Sequence, residues 1–294
     1  MKKVLVAGAS GYLGRYAVRR FKEKGYWVRA LVRNPEKLGR EGPFLEPAVL
    51  EHVDDVYTGE VTRPETIAGA CDGIDVVFSS IGITRQKDSL SFREVDYQGN
   101  LHLLRTAQSS PSVSRFIFVS VYMASALIRN EIVSARERFV SELAASGMPY
   151  TIVRPTGFFS DLTALLHMAE KGRVYVIGSG EHTLNPVHGE DVADICVQAA
   201  EQGMREAAVG GPRVYTHRQL AELAVRSLGK PAKVVALPRP LVNIGISLLY
   251  PFNRRLHAVS SFFNDCMGMN LEAPPTGKHE LENYFQLYRR ERMR

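Results

Sequence analysis

The sequence predicts a doubly wound parallel α/β sheet, and three observations lead there. Short apolar runs alternate with helical segments over the first half of the chain. The first run feeds a glycine-rich turn at residues 8–14, and most later runs are continuously apolar rather than alternating. Strands buried on both faces read as continuous Val/Ile/Leu runs, and successive parallel strands need a helical crossover between them.

Element by element, the first strand ends at Ala7 and the turn opens an amphipathic helix from Arg15 to Lys24. Trp27–Val32 forms the second strand, followed by a helix region through Glu51 and a short third strand, Asp55–Tyr57. Thr62-Arg63-Pro64-Glu65 caps the next helix, with proline in its first turn. Ile74–Phe78 is the fourth strand and ends at Ser79-Ser80-Ile81-Gly82. A long helix from about Ser91 to Gln108 leads to the fifth strand, Arg115–Ser120. A helix over Ile132–Ala145 precedes the sixth, Met148–Val153. Right-handed crossovers then give the strand order 3-2-1-4-5-6. Beyond Arg154 the pattern loosens into a helix (Leu162–Lys171), a strand (Arg173–Ile177), helices from Gly189 and over Thr216–Leu228, and two proline-flanked apolar segments. Residues 1–155 are expected to form the core. Residues 156–294 complete the sheet and build a smaller lobe over the strands' C-terminal ends, as one integrated unit.

Composition narrows the function classes. The 294-residue chain is long enough for one large α/β unit, and its net charge of +6 is a mild excess. The basic residues cluster only in the tail, Arg289–Arg294, which reads as a frayed helix end; no nucleic-acid motif accompanies it. Cys71, Cys196 and Cys266 lack any paired spacing and read as reduced thiols, and His102 and His167 have no ligand partners, so no metal site is expected. No targeting peptide or spanning segment is recognised, which makes the cytoplasm the expected compartment.

The chemistry is carried by Gly8-Ala-Ser10-Gly11-Tyr12-Leu13-Gly14. Gly8 allows the tight turn, Gly11 lets backbone approach a pyrophosphate, and Gly14 lets the helix pack closely on the strand. Unpaired amides at the helix start receive the negative charge. A dinucleotide with a free ribose 2′-hydroxyl favours a carboxylate about 20 residues further on; a 2′-phosphate favours arginine there. The second strand ends at Arg33, with Lys37 one helical turn beyond and Ser10 as a further donor. Guanidinium binds a phosphate through paired, charge-assisted donors. The expected cofactor is therefore NADP(H), in a Rossmann-type fold.

These motifs, with Val95-Asp96-Tyr97-Gln98-Gly99-Asn100, Arg154-Pro155-Thr156-Gly157-Phe158-Phe159 and Asn185–Ala193, resemble the NmrA-like atypical short-chain dehydrogenase/reductases. Within that group the chain is similar to divinyl chlorophyllide reductases and to bacterial NAD(P)-binding proteins. The resemblance covers residues 3–200 well and the last third loosely. It implies that Pro155–Phe158 pass beside the nicotinamide. It also implies that Glu60-Val61 lie at the adenine pocket and that Ser79, Ser80, Ile81 and Gly82 pass under the ribose and pyrophosphate.

Two departures from that pattern bear on activity. Mainstream short-chain dehydrogenases use Tyr-x-x-x-Lys on the helix after strand five, where the lysine lowers the phenol pKa for proton transfer. Here those slots hold Ile132 and Arg136. Isoleucine has no transferable proton, and Arg136 keeps the charge for a ribose contact without exchanging a proton near neutrality. Glu60 stands where the family more often has aspartate, which lengthens the reach to the adenine.

Tyr122 and Ser120, at the end of the fifth strand, are the candidate catalytic residues, Tyr122 as proton donor and Ser120 for orienting a substrate group. The loop Thr84-Arg85-Gln86-Lys87-Asp88 borders the nicotinamide side in this reading, and His188 sits at the start of a helix. Phe158, Phe159, Phe252, Phe262 and Phe263 are available to line an apolar pocket.

Two functions follow. One is an NADPH-dependent reductase of an apolar or conjugated small molecule. The other is a dinucleotide-binding sensor or assembly factor that does not catalyse, as NmrA-type regulators and the NADPH-binding accessory subunit of respiratory complex I do not. Oligomeric state is not readable from the sequence.

Overall fold

The computed structural model describes residues 1–82, 90–229 and 231–293; residues 84–88, assigned above to the nicotinamide side, lie outside them. The main sheet is built on β1 (Lys3–Ala7), with β2 (Trp27–Val32) and β3 (Asp55–Thr58) on one side. On the other side lie β4 (Val76–Ser79), β5 (Arg115–Val119) and β6 (Tyr150–Pro155). All these pairs are parallel, and the order 3-2-1-4-5-6 is the one expected. Alternation along β1 splits the core between its two faces. Val4 and Val6 pack with Phe21 of α1 (Tyr12–Glu23) and with Phe78. Leu5 and Ala7 join the cluster of Phe116 and Phe118, which meets α2 (Asn100–Gln108) and α3 (Glu131–Ala145) through Leu103, Phe139 and Leu143.

Three segments differ from expectation. The region up to Glu51 is not a helix but two single 3-10 turns, Pro35–Gly39 and Leu50–His52. Gly39, Gly42, Pro43 and Pro47 interrupt any helical ladder there. The buried guanidinium of Arg15 organises the segment instead. It donates to the carbonyls of Ser10 (3.1 Å), Lys37 (2.6 Å) and Pro47 (3.0 Å), and to that of Arg40. The helix expected after Thr62 is one 3-10 turn, Pro64–Ile67, cut off by the positive φ of Gly69. The long helix begins as a π-turn, Arg93–Gly99, before α2. Asn100 donates its side-chain amide to the Asp96 carbonyl at 2.9 Å and competes with the regular ladder at that point.

The second half follows α4 (Phe159–Glu170), β7 (Arg173–Ile177), β8 (Thr183–Leu184) and α5 (Gly189–Gln202). β9 (Glu206–Val209), a strand too short and too little apolar to be read beforehand, adds a seventh parallel strand beside β6. α5 packs across α1, where Gly189 admits the rings of Tyr12 and Tyr16. β10 (Tyr215–Thr216) pairs with β8, and α6 (His217–Leu228) leads to β11 (Lys233–Leu237), which pairs with β7. α7 (Arg239–Leu249), α8 (Arg254–Cys266) and α9 (Leu281–Met293) end the chain. A third core, with Phe159, Leu166, Val176, Leu220 and Phe285, holds this lobe. Among the described residues no helix is long and apolar enough to cross a membrane.

The tightest constraint is between α1 and β1. A Cβ on Gly14 would stand 2.0 Å from the Gly8 carbonyl oxygen and 2.9 Å from the Ala9 Cα, both backbone atoms. Gly14→Ala is therefore expected to lower the unfolding free energy by about 2–3 kcal/mol, as forced overpacking does. Gly245→Ala in α7, where a Cβ meets nothing within 4 Å, should be neutral or stabilising. Urea unfolding of both variants checks this; a Gly14→Ala protein as stable as the parent contradicts the packing described.

Candidate functional site

The C-terminal ends of the central strands open onto a cleft in two adjoining parts, of about 290 and about 280 Å³. Gly11, Ser80 and Gly82 border both. The first part lies over β1 and β2. Gly8 turns there with φ +83°, and its carbonyl accepts from the Gly11 amide at 2.9 Å. Gly11 begins α1 with no side-chain cap, and the first turn holds no acidic residue. The amides at this helix start thus lack the side-chain acceptor that most helices carry, a fit for an anion. Ser10, Val61 and Ile81 border the same space.

Its outer edge is charged. Arg33 and Lys37 border it, with Glu60 opposite. Arg33 Nη1 lies 3.5 Å from one Glu60 carboxylate oxygen, and Arg63 Nε lies 3.7 Å from the other. Glu60, assigned above to the adenine, thus sits between two guanidiniums. Ser79 is not a lining residue. It is fully buried and its hydroxyl donates to the Asn100 side-chain oxygen at 2.6 Å. Gly14 likewise acts beneath the cleft, through the backbone contact described above.

The second part lies over β5 and β6. Tyr12 and Leu13 from α1 border it, as do Pro155, Thr156, Gly157 and Phe158 at the end of β6. Ile132 and Arg136 reach it from α3, Leu162 and Leu165 from α4, and Phe262, Phe263 and Cys266 from α8. Of the other aromatics expected here, Phe159 is buried in the lobe core and Phe252 is 88% exposed on the surface. Two ion pairs underlie the cavity. Arg136 Nε donates to the buried Asp96 carboxylate at 3.0 Å, and its Nη1 donates to the Val119 carbonyl at 3.3 Å. Arg154 grips Glu137 with both terminal nitrogens, at 2.7 and 3.0 Å, and Ser120 donates its hydroxyl to the same carboxylate at 2.5 Å.

The candidate catalytic pair is split. Ser120 borders the cavity with its hydroxyl committed to Glu137. Tyr122 does not border it, because its hydroxyl donates to the Glu272 carbonyl at 2.8 Å and its ring packs on the lobe core. Sequence reasoning missed His217, which borders the cavity with 8% exposure. Its Nε2 is buried without a hydrogen-bond partner among the described residues, and burial pushes its pKa down to about 4. No local signal marks it, since it reads as the first residue of an ordinary helix.

Outside the cleft, His188 caps α5, its Nδ1 accepting from the Glu190 amide at 3.3 Å. One ligand atom each from His188, Glu190 and His279 lies within 4.8 Å of the others, a grouping the sequence did not announce. Each already has a partner. His279 Nδ1 donates to Asp191 at 2.7 Å, and Arg19 Nη2 lies 2.8 Å from the Glu190 carboxylate.

A family model described as NAD(P)H-binding matches residues 8–203. The photosystem II assembly factor Ycf39 of Synechocystis sp. is 29% identical over 245 residues, 82% of this chain and 72% of that protein. The chloroplastic divinyl chlorophyllide a 8-vinyl-reductase of Oryza sativa subsp. indica is 30% identical over 263 residues, 84% of this chain and 64% of that protein. Among solved structures, the NADPH-dependent quinone oxidoreductase of Escherichia coli superposes with a TM-score of 0.73 at 18% identity, covering 97% of this chain and 99% of that one.

The α5 cap gives a pH dependence. Burial first, then the neighbouring His279, pushes His188 down from 6.5 to about 3, so it stays neutral in the fold. A depressed histidine contributes stability that is complete above the unfolded value and is lost as pH falls towards the folded one. Between pH 7 and 5 this amounts to about 2 kcal/mol. His279, raised by its hydrogen bond to Asp191, acts with the opposite sign: its contribution is full at low pH and fades as pH rises through its folded value. His188→Asn, which keeps a capping side chain, should flatten the decline measured by urea unfolding at pH 7, 6 and 5. A variant that declines as steeply as the parent contradicts the assignment.

Proposed function

The chain belongs to the NAD(P)H-binding family, and from that premise we propose that it is an NADPH-dependent reductase of an apolar, conjugated small molecule. The observation that carries the reading is the second cavity. It adjoins the dinucleotide cleft at Gly11, Ser80 and Gly82, and its walls are largely aliphatic and aromatic. The rice relative is, by its name, an 8-vinyl-reductase of divinyl chlorophyllide a.

In this reading the turn Gly8–Gly14 and the start of α1 hold the pyrophosphate. Glu60-Val61 and Ser80–Gly82 border the adenosine half, and Ser10, Arg33 and Lys37 take the 2′-phosphate. A phosphate at Arg33 competes with Glu60 for the guanidinium. Arg136, held by Asp96, anchors the nicotinamide ribose. Pro155–Phe158 place the nicotinamide against the second cavity. When bound, NADPH would supply the hydride for one carbon of an electron-poor double bond, with NADP⁺ as the product and a proton required at the other carbon. Neither Ile132 nor Arg136 delivers that proton, and Tyr122 is turned away; water is the source in this reading. Ser120, fixed by Glu137, keeps a polar edge on an otherwise apolar chamber.

A second reading is a non-catalytic NADP(H)-binding assembly factor. It is favoured by Ile132 and Arg136 in place of a tyrosine–lysine pair, and by a relative that is itself an assembly factor. Stopped-flow oxidation of bound NADPH across enones, quinones and vinyl-substituted conjugated rings separates the two. The reductase predicts at least one acceptor that oxidises NADPH faster than free solution does, with Tyr122→Phe leaving the rate unchanged. If no acceptor does so, the assembly-factor reading replaces it.

The cofactor choice has its own test. Loss of a charge-assisted phosphate contact costs about 1.5–3 kcal/mol, so Arg33→Ala should weaken NADPH roughly tenfold or more. NADH affinity should change little. Calorimetry showing equal losses for both cofactors contradicts the assignment.

A further inference from the structure

Among the described residues, the hairpin of α7 and α8 carries an apolar surface with no protein against it. None of the residues of α7 is buried. Leu241, Ile244 and Leu248 follow one another at helical spacing with exposures of 64, 58 and 64%. Phe252, in the turn to α8, is 88% exposed, and Leu256 extends the face at 47%. The opposite side of α7, with Val242, Ile246 and Leu249, is half-buried, so the helix is apolar nearly all round. Such a helix is ordinarily covered, and a contiguous exposed patch of this kind marks an interaction surface.

The hairpin is also firmly built. Asn264 donates to the side-chain oxygen of Asn243 at 2.9 Å, joining α8 to α7. Asn130 donates to the Ala258 carbonyl at 3.0 Å, joining α8 to the start of α3. The apolar face is therefore held outward by the fold.

Charge selects the occupant. The hairpin holds one carboxylate, Asp265 near the end of α8, which faces Arg239; the basic residues Arg239, Arg254 and Arg255 flank the apolar stretch, and Arg254 is exposed beside the Phe252 turn. Basic ends around an exposed apolar face match a membrane interface, where acyl chains take the side chains and anionic headgroups take the arginines. A second copy fits less well. A two-fold contact through this face presents the same patch from both sides and brings two copies of Arg254 together, while the hairpin's one carboxylate, Asp265, lies at the far end of α8 beside Arg239.

We propose that the α7–α8 hairpin docks on the surface of an anionic lipid bilayer, lying in the interface without crossing it. The inner side of α8 carries Phe262 and Phe263 at the second cavity, so the docking face and the cavity are two sides of one hairpin. The proposal stands on the exposed face and its charge, independently of the activity proposed above.

Vesicle flotation tests it, with the full chain and NADPH at low salt. The vesicles are phosphatidylcholine alone, or phosphatidylcholine with phosphatidylglycerol. The chain should float with the anionic vesicles and poorly with the neutral ones. Ile244→Ser/Leu248→Ser should weaken that binding by roughly tenfold or more, because two apolar side chains no longer enter the interface. Arg254→Gln should weaken it by about fivefold. NADPH affinity should be unchanged in each, and Phe252→Ser, in the exposed turn, gives an independent variant should the double substitution unfold.

Three results overturn the proposal. One is no flotation with anionic vesicles. Another is flotation indifferent to phosphatidylglycerol or to every one of these substitutions. The third is a dimer in light scattering that Ile244→Ser/Leu248→Ser dissolves, which assigns the face to a second copy.

Discussion

The approach of α1 to the turn after β1 is the contact on which the rest of the site depends. With no side chain on Gly14, the first turn of the helix sits against the Gly8 carbonyl and points its uncapped start into the cleft. That position also sets what lies on either side. Tyr12 and Leu13 face the second cavity, while Ser10 faces the first. Arg15, one residue beyond Gly14, is carried inward to the carbonyls of the 35–50 segment and ties that segment to the helix. A single close contact thus fixes the anion end of the cleft, the wall of the second cavity and the packing of an otherwise irregular loop.

The floor of the second cavity is held by charge. A buried ion pair is a poor source of stability, but breaking one leaves an uncompensated charge, so its members are held where they are. Asp96 holds Arg136 in this way, and Glu137 is held by Arg154 while it fixes Ser120. Of these residues Arg136 stands in the lysine slot of the usual tyrosine–lysine pair, and Ile132 beside it fills the tyrosine slot. The ion pairs position groups without offering an exchangeable proton near neutrality. In the proposed reductase, the apolar chamber above them takes a substrate that needs a hydride and draws its proton from water.

Much of this was legible because its signal is local. Gly8 is required by its own positive φ and Gly11 and Gly14 by their approach to the Gly8 carbonyl, all within seven residues, and most of the apolar runs that became β1–β6 announce burial by themselves. Elements that depend on distant partners were not legible. Arg136 and Asp96 are 40 residues apart, and nothing at either position names the other. Tyr122 sat at a plausible level of the sheet, yet its hydroxyl is taken by a carbonyl 150 residues away. The helix expected near Glu51 failed for a local reason, since Gly39, Gly42, Pro43 and Pro47 outweigh the apolar spacing around them. β9 is short and borrows its strand character from β6.

The central claim is that NADP(H) spans both parts of the cleft, its adenosine end at Arg33 and its nicotinamide at Pro155–Phe158. Hydrogen-exchange mass spectrometry with and without NADPH tests it most directly. The account predicts slowed exchange at residues 8–14, 31–37, 59–62 and 80–82, and also at 155–158, with the α8 wall at 262–267 unchanged because the cavity stays open to a substrate. Protection confined to residues 8–37, with none at the end of β6, would contradict it.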